Sequence, residues 1–397
     1  MICVGIDAAS DKHDVCIMNN DGETYKKVFT IHNNASEYKK LLTVIDEARK
    51  LWNDSNVSIG IESTGVYSST LVNYLTKFED LEIIYINPVL TNMFVRSESI
   101  HYAKTDKSDA KSICMFLLDK RKRLYTYTPP SYTILEMKSL GREIRDVSKS
   151  ITNRTNRLTG IMHVVFPEFF KVFSSIKGTT CLEYLRLYPT PNMIVKKRTL
   201  NDVYKNLNKR GNKINDLDNL IGLAKETIGK FTESDAIVIK CLAEQLQQLN
   251  AQKETMLKRM DTLANKNAKA LLTIPGIGPH NACVIMGEVG DISNFHGYES
   301  LICYAGMNPY VYQSGKFEAK NTRMTKKGSP YLRNALTLAS RIIVMCDEKF
   351  KNYYEKKINE GKHYNTVICH VAKKLTRVIY HILKTGEVYD KNKVVLN

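Results

Sequence analysis

The sequence predicts a multidomain protein that begins with an α/β domain, continues through a helical and coiled-coil middle, and ends in a mostly helical domain. Three observations lead to this class. The 397 residues are too many for one compact core. The first third alternates short apolar runs with amphipathic helical patterns, and long helical patterns fill the rest. We place the domains at residues 1–125, 126–265 and 266–397.

The N-terminal domain has the pattern of three strands followed by helix, strand, helix, strand and helix. Strands are predicted at 3–6, 14–18, 24–31, 57–62 and 81–86, and helices at 36–52, 65–77 and 108–118. Asp21-Gly22 supplies the positive φ of a hairpin turn between the second and third strands. Ser36 is expected to cap the first helix, with Leu41, Leu42, Ile45 and Leu51 on one apolar face. This order indicates a ribonuclease H-like domain, in which the first and fourth strands are neighbours.

Four carboxylates occupy informative places in this pattern. Asp7 lies within an apolar strand, Glu62 ends the fourth strand, and Asp106 and Asp109 are three residues apart at a helix start. A charge in a buried strand is costly unless a cation or a metal ion pairs with it. Four acids from three segments are the ligands that two Mg²⁺ ions about 3.5–4 Å apart require. The alternative is that they are ordinary surface acids.

The chain is strongly basic, with 58 Lys and Arg against 41 Asp and Glu and a net charge of +17. An excess of this kind is typical of nucleic-acid-binding proteins, although a ribosomal or membrane-surface role is the alternative. Nine scattered cysteines without a C-x-x-C pair favour buried, reduced thiols over disulfides or a zinc site. Without a signal peptide or a spanning apolar run, we expect a cytoplasmic, nucleoid-associated protein.

The middle domain is predicted to carry a basic helix and a second long helix. The helix over 134–166 carries basic residues, many on one side, that suit a phosphate backbone: Lys138, Arg142, Arg145, Lys149, Arg154 and Arg157. The second helix has a coiled-coil seam that Lys253 interrupts: Ile239, Leu242, Leu246, Leu249, Lys253, Met256, Met260 and Leu263. The seam is expected either to pack within its own domain or to form a dimer with register set by Lys253.

The C-terminal domain contains two glycine-containing turns that are candidates for phosphate chemistry. Gly276 and Gly278 resemble a helix-hairpin-helix contact, in which backbone N–H groups approach a phosphate, although a plain tight turn is the alternative. Ser314 precedes Gly315 in a loop followed by Lys316, Lys320, Arg323, Lys326, Lys327 and Arg333. A hydroxyl among cations is a candidate nucleophile toward phosphorus. Taken alone, a Ser-Gly pair is more often structural.

In this order, the motifs resemble the DEDD transposases of the insertion-sequence one-ten group, the bridge-RNA-guided serine recombinases of bacterial mobile elements. The similarity covers nearly the full length. It rests on Gly5-Ile6-Asp7, Gly60-Ile61-Glu62, Lys104-Thr105-Asp106 with Asp109, Tyr188-Pro189-Thr190-Pro191, residues 274–278, Gln313-Ser314-Gly315, Gly328 with Leu332-Arg333, and the tail with Asp347, Phe350, Tyr354 and Gly361-Lys362.

The resemblance implies a RuvC-like domain that holds Mg²⁺, as two ions, through Asp7, Glu62, Asp106 and Asp109. It also implies a C-terminal transposase domain with Ser314 as the nucleophile and a phosphoserine link to DNA as the intermediate. The implied partners are target and donor DNA, a bridge RNA, and further copies of the chain, as dimers that pair into tetramers. Because the acids and Ser314 fall in different predicted domains, a composite site is expected.

Two other functions are compatible with the same residues. One is a RuvC-like endonuclease or Holliday-junction resolvase that uses water, and it would keep cutting DNA after Ser314→Ala. The other is a non-catalytic nucleic-acid-binding protein, which would bind in EDTA with Asp7 and Glu62 both changed to Ala. Ser329, beside Pro330, is the second candidate nucleophile.

Overall fold

The computed structural model describes residues 1–62, 67–98, 106–207, 216–309, 313–314, 317–318 and 324–395. Of residues 98, 106–107, 313–314 and 317–318 it describes the backbone alone. The chain divides into two compact units, residues 1–129 and 130–397. No helix in the described ranges combines the length and apolarity that crossing a bilayer requires.

The first unit is built on a mixed sheet of five described strands. The strands are β1 (Ile2–Ala8), β2 (Lys12–Met18), β3 (Phe29–His32), β4 (Val57–Glu62) and β5 (Leu81–Ile86), and the helices are α1 (Ala35–Trp52), α2 (Ser69–Leu75), α3 (Pro88–Glu98) and α4 (Asp106–Lys120). The sheet order is β3-β2-β1-β4-β5. β1 pairs antiparallel with β2 and parallel with β4, and β5 is parallel to β4. The predicted adjacency of the first and fourth strands is confirmed.

The sheet is covered by helices on both faces, so its alternating side chains enter two cores. Ile2, Val4 and Ile6 of β1 pack in one core with α1 and α2. Cys3 of the same strand packs in the other core with α4. Burial on both faces explains why β1 is an almost unbroken apolar run, as expected of a central strand.

The contact between α4 and β1 requires a glycine at position 5. A Cβ on Gly5 would lie 2.3 Å from the carbonyl oxygen of Ala110 and 2.4 Å from the backbone nitrogen of Cys114. These distances are far shorter than any van der Waals contact, and backbone atoms of a helix cannot rotate away. The helix backbone therefore rests directly on the strand.

We expect Gly5→Ala to destabilise the first unit by about 3 kcal/mol, because the added methyl group overpacks this contact. Gly160→Ala is the control, since a Cβ there meets nothing within 4 Å in the middle of a helix. It should stabilise its helix by about 0.5–1 kcal/mol. Urea unfolding measures both changes. A Gly5→Ala protein as stable as the wild type would contradict the close contact.

Several predicted boundaries in this unit differ from the structure. Asn34, not Ser36, caps α1 by accepting a hydrogen bond from the backbone nitrogen of Glu37, and Leu51 is exposed rather than on the buried face. The third strand begins at Phe29 instead of residue 24. Helix α3 was not predicted, and it begins at Pro88, directly after the fifth strand. Proline suits the first position of a helix, where no N–H is required.

The second unit is mainly helical. Its elements are α5 (Tyr132–Val165), α6 (Thr179–Leu187), α7 (Asn219–Lys225), α8 (Glu233–Asn267), α9 (Lys269–Leu272), α10 (Pro279–Val289), α11 (Tyr298–Tyr304), β6 (Gln313–Ser314), β7 (Phe317–Glu318), α12 (Pro330–Cys346), α13 (Glu348–Asn359) and α14 (Tyr364–Thr385). One hydrophobic core joins α10, α12 and α14, and another joins α5, α6 and the start of α8. β6 and β7 form an antiparallel pair.

The two long helices, α5 and α8, pair antiparallel within the chain. Arg259 of α8 forms an ion pair with Glu136 near the start of α5, at 2.7 Å, and Arg154 donates to Gln245 at 2.9 Å. The seam residues Ile239, Leu242, Leu246, Met260 and Leu263 are buried in the two cores of this unit. The seam thus packs within the chain, the first of the two predicted arrangements.

Candidate functional site

Asp7 and Glu62 lie at the same end of two neighbouring strands. β1 and β4 run parallel and in register as far as the pair Ile6 and Ile61, and the two acids are the next residue of each strand. Side chains alternate along a strand, so Asp7 shares a face with Gly5 and Glu62 shares a face with Gly60. That is the face covered by α4, and both acids are half-buried there.

The direction of α4 brings a third acid to the same end of the sheet. Cys114 donates a hydrogen bond from Sγ to the carbonyl oxygen of Cys3 at 3.1 Å, and Ala110, one turn earlier, lies over Gly5. Helix and strand are therefore antiparallel. One helical turn before Ala110 covers about 5.4 Å along the helix axis. The two residues from Gly5 to Asp7 cover about the same distance along the strand. The first turn of α4, with half-buried Asp109, thus reaches the end of β1.

A hydroxyl and a further acid complete the surroundings of this end. The buried hydroxyl of Thr91 in α3 donates a hydrogen bond to Glu62 Oε1. Asp14 of β2 is the direct cross-strand partner of Asp7, is 4% exposed, and accepts a hydrogen bond from Thr30. Direct cross-strand partners share a face, so Asp14 is a further carboxylate beside Asp7. Sequence reasoning missed it, because only the register between β1 and β2 shows that Asp14 lies opposite Asp7.

The donor chemistry at this end of the sheet fits Mg²⁺. Carboxylate oxygens are the hard ligands that this ion prefers. Asp106 belongs to the first turn of α4, but its side chain is outside the described residues. Among the side chains that are described, no three His, Cys, Asp or Glu groups are grouped closely enough to hold a metal ion. The structure brings Asp7, Glu62 and Asp109 to one end of the sheet.

The serine segment lies in the second unit. The backbone of Ser314 ends β6 and pairs with Phe317. The side chain of Ser314 and residues Lys316, Lys320 and Arg323 lie outside the described residues. The chain after them is held by two backbone bonds: Thr325 N donates to Asn308 O at 3.0 Å and Lys326 N donates to Gly306 O at 3.1 Å. Lys326 and Lys327 are exposed.

Ser329, the second candidate nucleophile, has a structural role, because its hydroxyl is engaged in two hydrogen bonds. Its Oγ accepts a hydrogen bond from Leu332 N at 3.1 Å, which caps α12, and donates one to Glu288 Oε2 at 2.8 Å. The residue is 9% exposed. A buried hydroxyl with both partners in place is poorly suited to attack a phosphate from solvent.

The basic residues predicted on α5 divide into two groups. Lys138, Arg142, Arg145 and Lys149 follow one side at helical spacing, whereas Arg154 is turned toward Gln245 of α8 and Arg157 is exposed elsewhere. Burial lowers the pKa of Lys138, which is half-buried. Four of the six predicted residues therefore share one side of α5, in agreement with the spacing.

The two glycines of the 275–278 turn have different surroundings. Gly276 has a φ of +89°, and a Cβ on it would lie 2.9 Å from Ile343 N and 3.0 Å from Ala339 O of α12. Because Gly276 has no side chain, the turn can pack closely against the backbone of α12. A Cβ on Gly278 meets nothing within 4 Å, so this end of α10 is open.

Two segments of the chain match known transposase families. Residues 4–167 match the model for IS110-type DEDD transposases, described as "Transposase". Residues 268–355 match "Transposase IS116/IS110/IS902 family". The four predicted acids lie in the first segment and Ser314 lies in the second.

Curated relatives come from several bacteria. The chain is 24% identical to "Insertion element IS116 uncharacterized 44.8 kDa protein" of Streptomyces clavuligerus, over 98% of this chain and 96% of the relative. It is 23% identical to "Insertion element IS110 uncharacterized 43.6 kDa protein" of Streptomyces coelicolor, over 72% of each chain. It is 29% identical to "Pilin gene-inverting protein" of Moraxella bovis, over 32% of this chain and 40% of the relative.

Proposed function

We propose that this chain, which is a transposase of the insertion-sequence type, cuts and exchanges DNA strands with Ser314 as the nucleophile and a bridge RNA as the guide. The observation that carries the proposal is the placement of Asp7, Glu62 and Asp109, from three separate segments, at the same end of the sheet in the segment that matches the DEDD transposase model. Such a set at the end of adjacent parallel strands is suited to phosphoryl transfer.

The acids are the proposed ligands of divalent metal. Asp7, Glu62, Asp106 and Asp109 would hold Mg²⁺, as two ions, which when bound supplies positive charge to the phosphate and to the attacking oxygen. The residues around them fix the carboxylates. The Thr91 hydroxyl donates to one oxygen of Glu62 and so orients that carboxylate.

Ser314 is the proposed covalent residue. Its Oγ forms a bond to the phosphorus and gives up its proton, while the bond from phosphorus to one sugar oxygen breaks and that oxygen leaves as a hydroxyl. One phosphodiester is exchanged for another, so the intermediate keeps the energy needed to rejoin a strand. A hydroxyl of a second DNA end then reverses the step. No other energy source is required.

The basic surfaces are the proposed contacts for target DNA, donor DNA and the bridge RNA. Exposed Arg142, Arg145 and Lys149 follow one side of α5. We call the antiparallel pair of β6 and β7, which contains Ser314, the serine hairpin, and exposed Lys326 and Lys327 lie on the chain that follows it. We propose a homodimer that pairs into a dimer of dimers, the arrangement that the family resemblance implies. Strand exchange needs two DNA duplexes, and paired dimers would hold both.

The proposal is tested by trapping the covalent intermediate. We expect the purified protein, mixed with element-end DNA, the noncoding RNA of the element and Mg²⁺, to form a protein–DNA adduct that resists denaturation. Mass spectrometry of the nuclease-trimmed adduct should place the phosphate on the Ser314 peptide, and EDTA should prevent its formation. Metal-dependent cutting without an adduct would instead identify a hydrolase that uses water.

A further inference from the structure

Two cations of α5 meet one aromatic ring at the start of α12. The guanidinium carbons of Arg142 and Arg145 lie 4.8 and 4.7 Å from the ring centroid of Tyr331. Arg333 follows on α12 and donates from Nη1 to the carbonyl oxygen of Ala305 at 2.9 Å. We call Arg142, Arg145 and Arg333 the arginine cluster.

A buried carboxylate fixes the position of Arg142. Its Nε and Nη2 donate to the two oxygens of Glu288 at 2.7 and 3.2 Å. The Glu288 side chain is 2% exposed, whereas that of Arg142 is 44% exposed. Burial alone would raise the pKa of Glu288, but hydrogen bonds from Arg142 and Ser329 lower it overall. Glu288 is therefore ionised at neutral pH, and Arg142 is held with part of its guanidinium facing solvent.

The cluster carries more positive charge than the neighbouring carboxylates neutralise. Among the described residues, no carboxylate forms an ion pair with Arg145 or Arg333, and Glu288 is engaged by Arg142. Burial and the charge of Arg145 both lower the pKa of Arg333, as expected where cations lie close together. Cations held together in this way are stabilised by an anion with several acceptor oxygens. A phosphodiester is such a group, and it matches the planar guanidinium fork.

Tyr331 and Arg333 belong to the chain segment that follows the serine hairpin, whereas Arg142 and Arg145 come from α5. Ser329 N donates to Tyr304 O at 2.7 Å, and a Cβ on Gly328 would lie 2.3 Å from the same oxygen. This contact, possible only for glycine, anchors the segment to the end of α11. A phosphate bound by the cluster is thus held within the same unit as Ser314, in part by the stretch of chain that follows it.

We propose that the arginine cluster binds one phosphodiester of the DNA strand that Ser314 attacks, and that Glu288 is the positioning residue for Arg142. The identity of the strand rests on the proposed function. The presence of an anion site rests on the arginine, tyrosine and glutamate contacts alone. RNA has the same backbone phosphate, so the test separates the two nucleic acids.

The test is the affinity of Arg145→Ala for element-end DNA. Arg145 is exposed and outside the cores, so the variant should fold. We expect an affinity about tenfold lower, as for the loss of one charge-assisted hydrogen bond. The slope of log affinity against log salt should fall by about 0.9, the value for one phosphate contact. Arg341→Ala is the matched control, because this exposed arginine on α12 is not among the predicted nucleic-acid contacts.

A scan with neutral methylphosphonate linkages identifies the phosphate. At one position near the cleaved bond, the affinity difference between wild type and Arg145→Ala should disappear, because the contact is already lost. Arg341→Ala should show no coupling at that position. For Glu288→Gln, the affinity difference from wild type should disappear at the same methylphosphonate position as for Arg145→Ala, even if the variant is less stable. A purely structural role of Glu288 would lower stability without this dependence on one phosphate.

Each outcome has a defined meaning. Unchanged DNA affinity for Arg145→Ala, or a loss confined to the RNA, would overturn the assignment to DNA. A wild-type adduct on Ser314 together with no methylphosphonate coupling would refute the cluster and leave the proposed function standing. Coupling without any adduct would support the anion site and refute the serine chemistry.

Discussion

Asp7→Asn is expected to abolish DNA strand breakage while the protein stays folded and binds DNA. The substitution keeps the size and one acceptor oxygen of Asp7 but removes its charge. If the acids hold metal, the loss of a ligand charge at their centre should lower the cleavage rate by about 10³-fold or more. The rate is measured as the appearance of cut strands at saturating protein, so that weaker binding does not contribute.

The same change is expected to leave stability unchanged or to increase it when metal is absent. Asp7 lies directly across from Asp14, beside Glu62, and near the first turn of α4 with Asp109. Like charges directly opposite one another on neighbouring strands are destabilising. Removing one of them therefore relieves repulsion in the metal-free protein. Thermal unfolding in EDTA measures this effect.

Opposite effects on stability and activity distinguish a functional acid from a structural one. Asp21→Asn, in the exposed turn between β2 and β3, is the control and should change neither quantity. A variant at Asp7 that cuts DNA at the wild-type rate would remove the basis for metal-dependent chemistry at this sheet. A variant that unfolds would show that Asp7 is required by the fold.

The placement of the acids at one end of the sheet was predictable, because their signal is local and their positions follow from strand order. A lone carboxylate in an apolar strand, an acid at the end of another strand and two at a helix start are visible in sequence, and the strand order places three of them at the same end of the sheet. Asp14 was missed because its importance depends on register: it matters only as the cross-strand partner of Asp7.

Helical patterns in the second unit were visible, but their partners were not. The α8 seam could face another chain or its own chain, because periodicity identifies an apolar side without identifying what covers it. The structure pairs it with α5. The contact between Glu288 and Arg142 could likewise not be predicted, because the two residues are far apart in sequence and a single acid in an apolar helix does not indicate its partner.

Ser314→Ala and Ser329→Ala are expected to have opposite effects, and this pair of variants tests the assignment of the nucleophile. Ser314→Ala should eliminate the covalent adduct and leave the unfolding temperature unchanged, because the proposed role of its hydroxyl is chemical. DNA affinity should stay within about twofold of wild type, since no cation is removed. Denaturing gels and thermal unfolding measure the two quantities.

Ser329→Ala should instead lower stability and preserve the chemistry. The change removes the cap of α12 and the hydrogen bond to buried Glu288, a loss of about 1–3 kcal/mol. Adduct formation should continue at temperatures where the variant is folded. The reverse pattern, with the adduct lost in Ser329→Ala and kept in Ser314→Ala, would move the nucleophile to Ser329. Both serines lie in the same matched segment. Unfolding of that segment would abolish the adduct in both variants, so it could not produce a loss in only one of them.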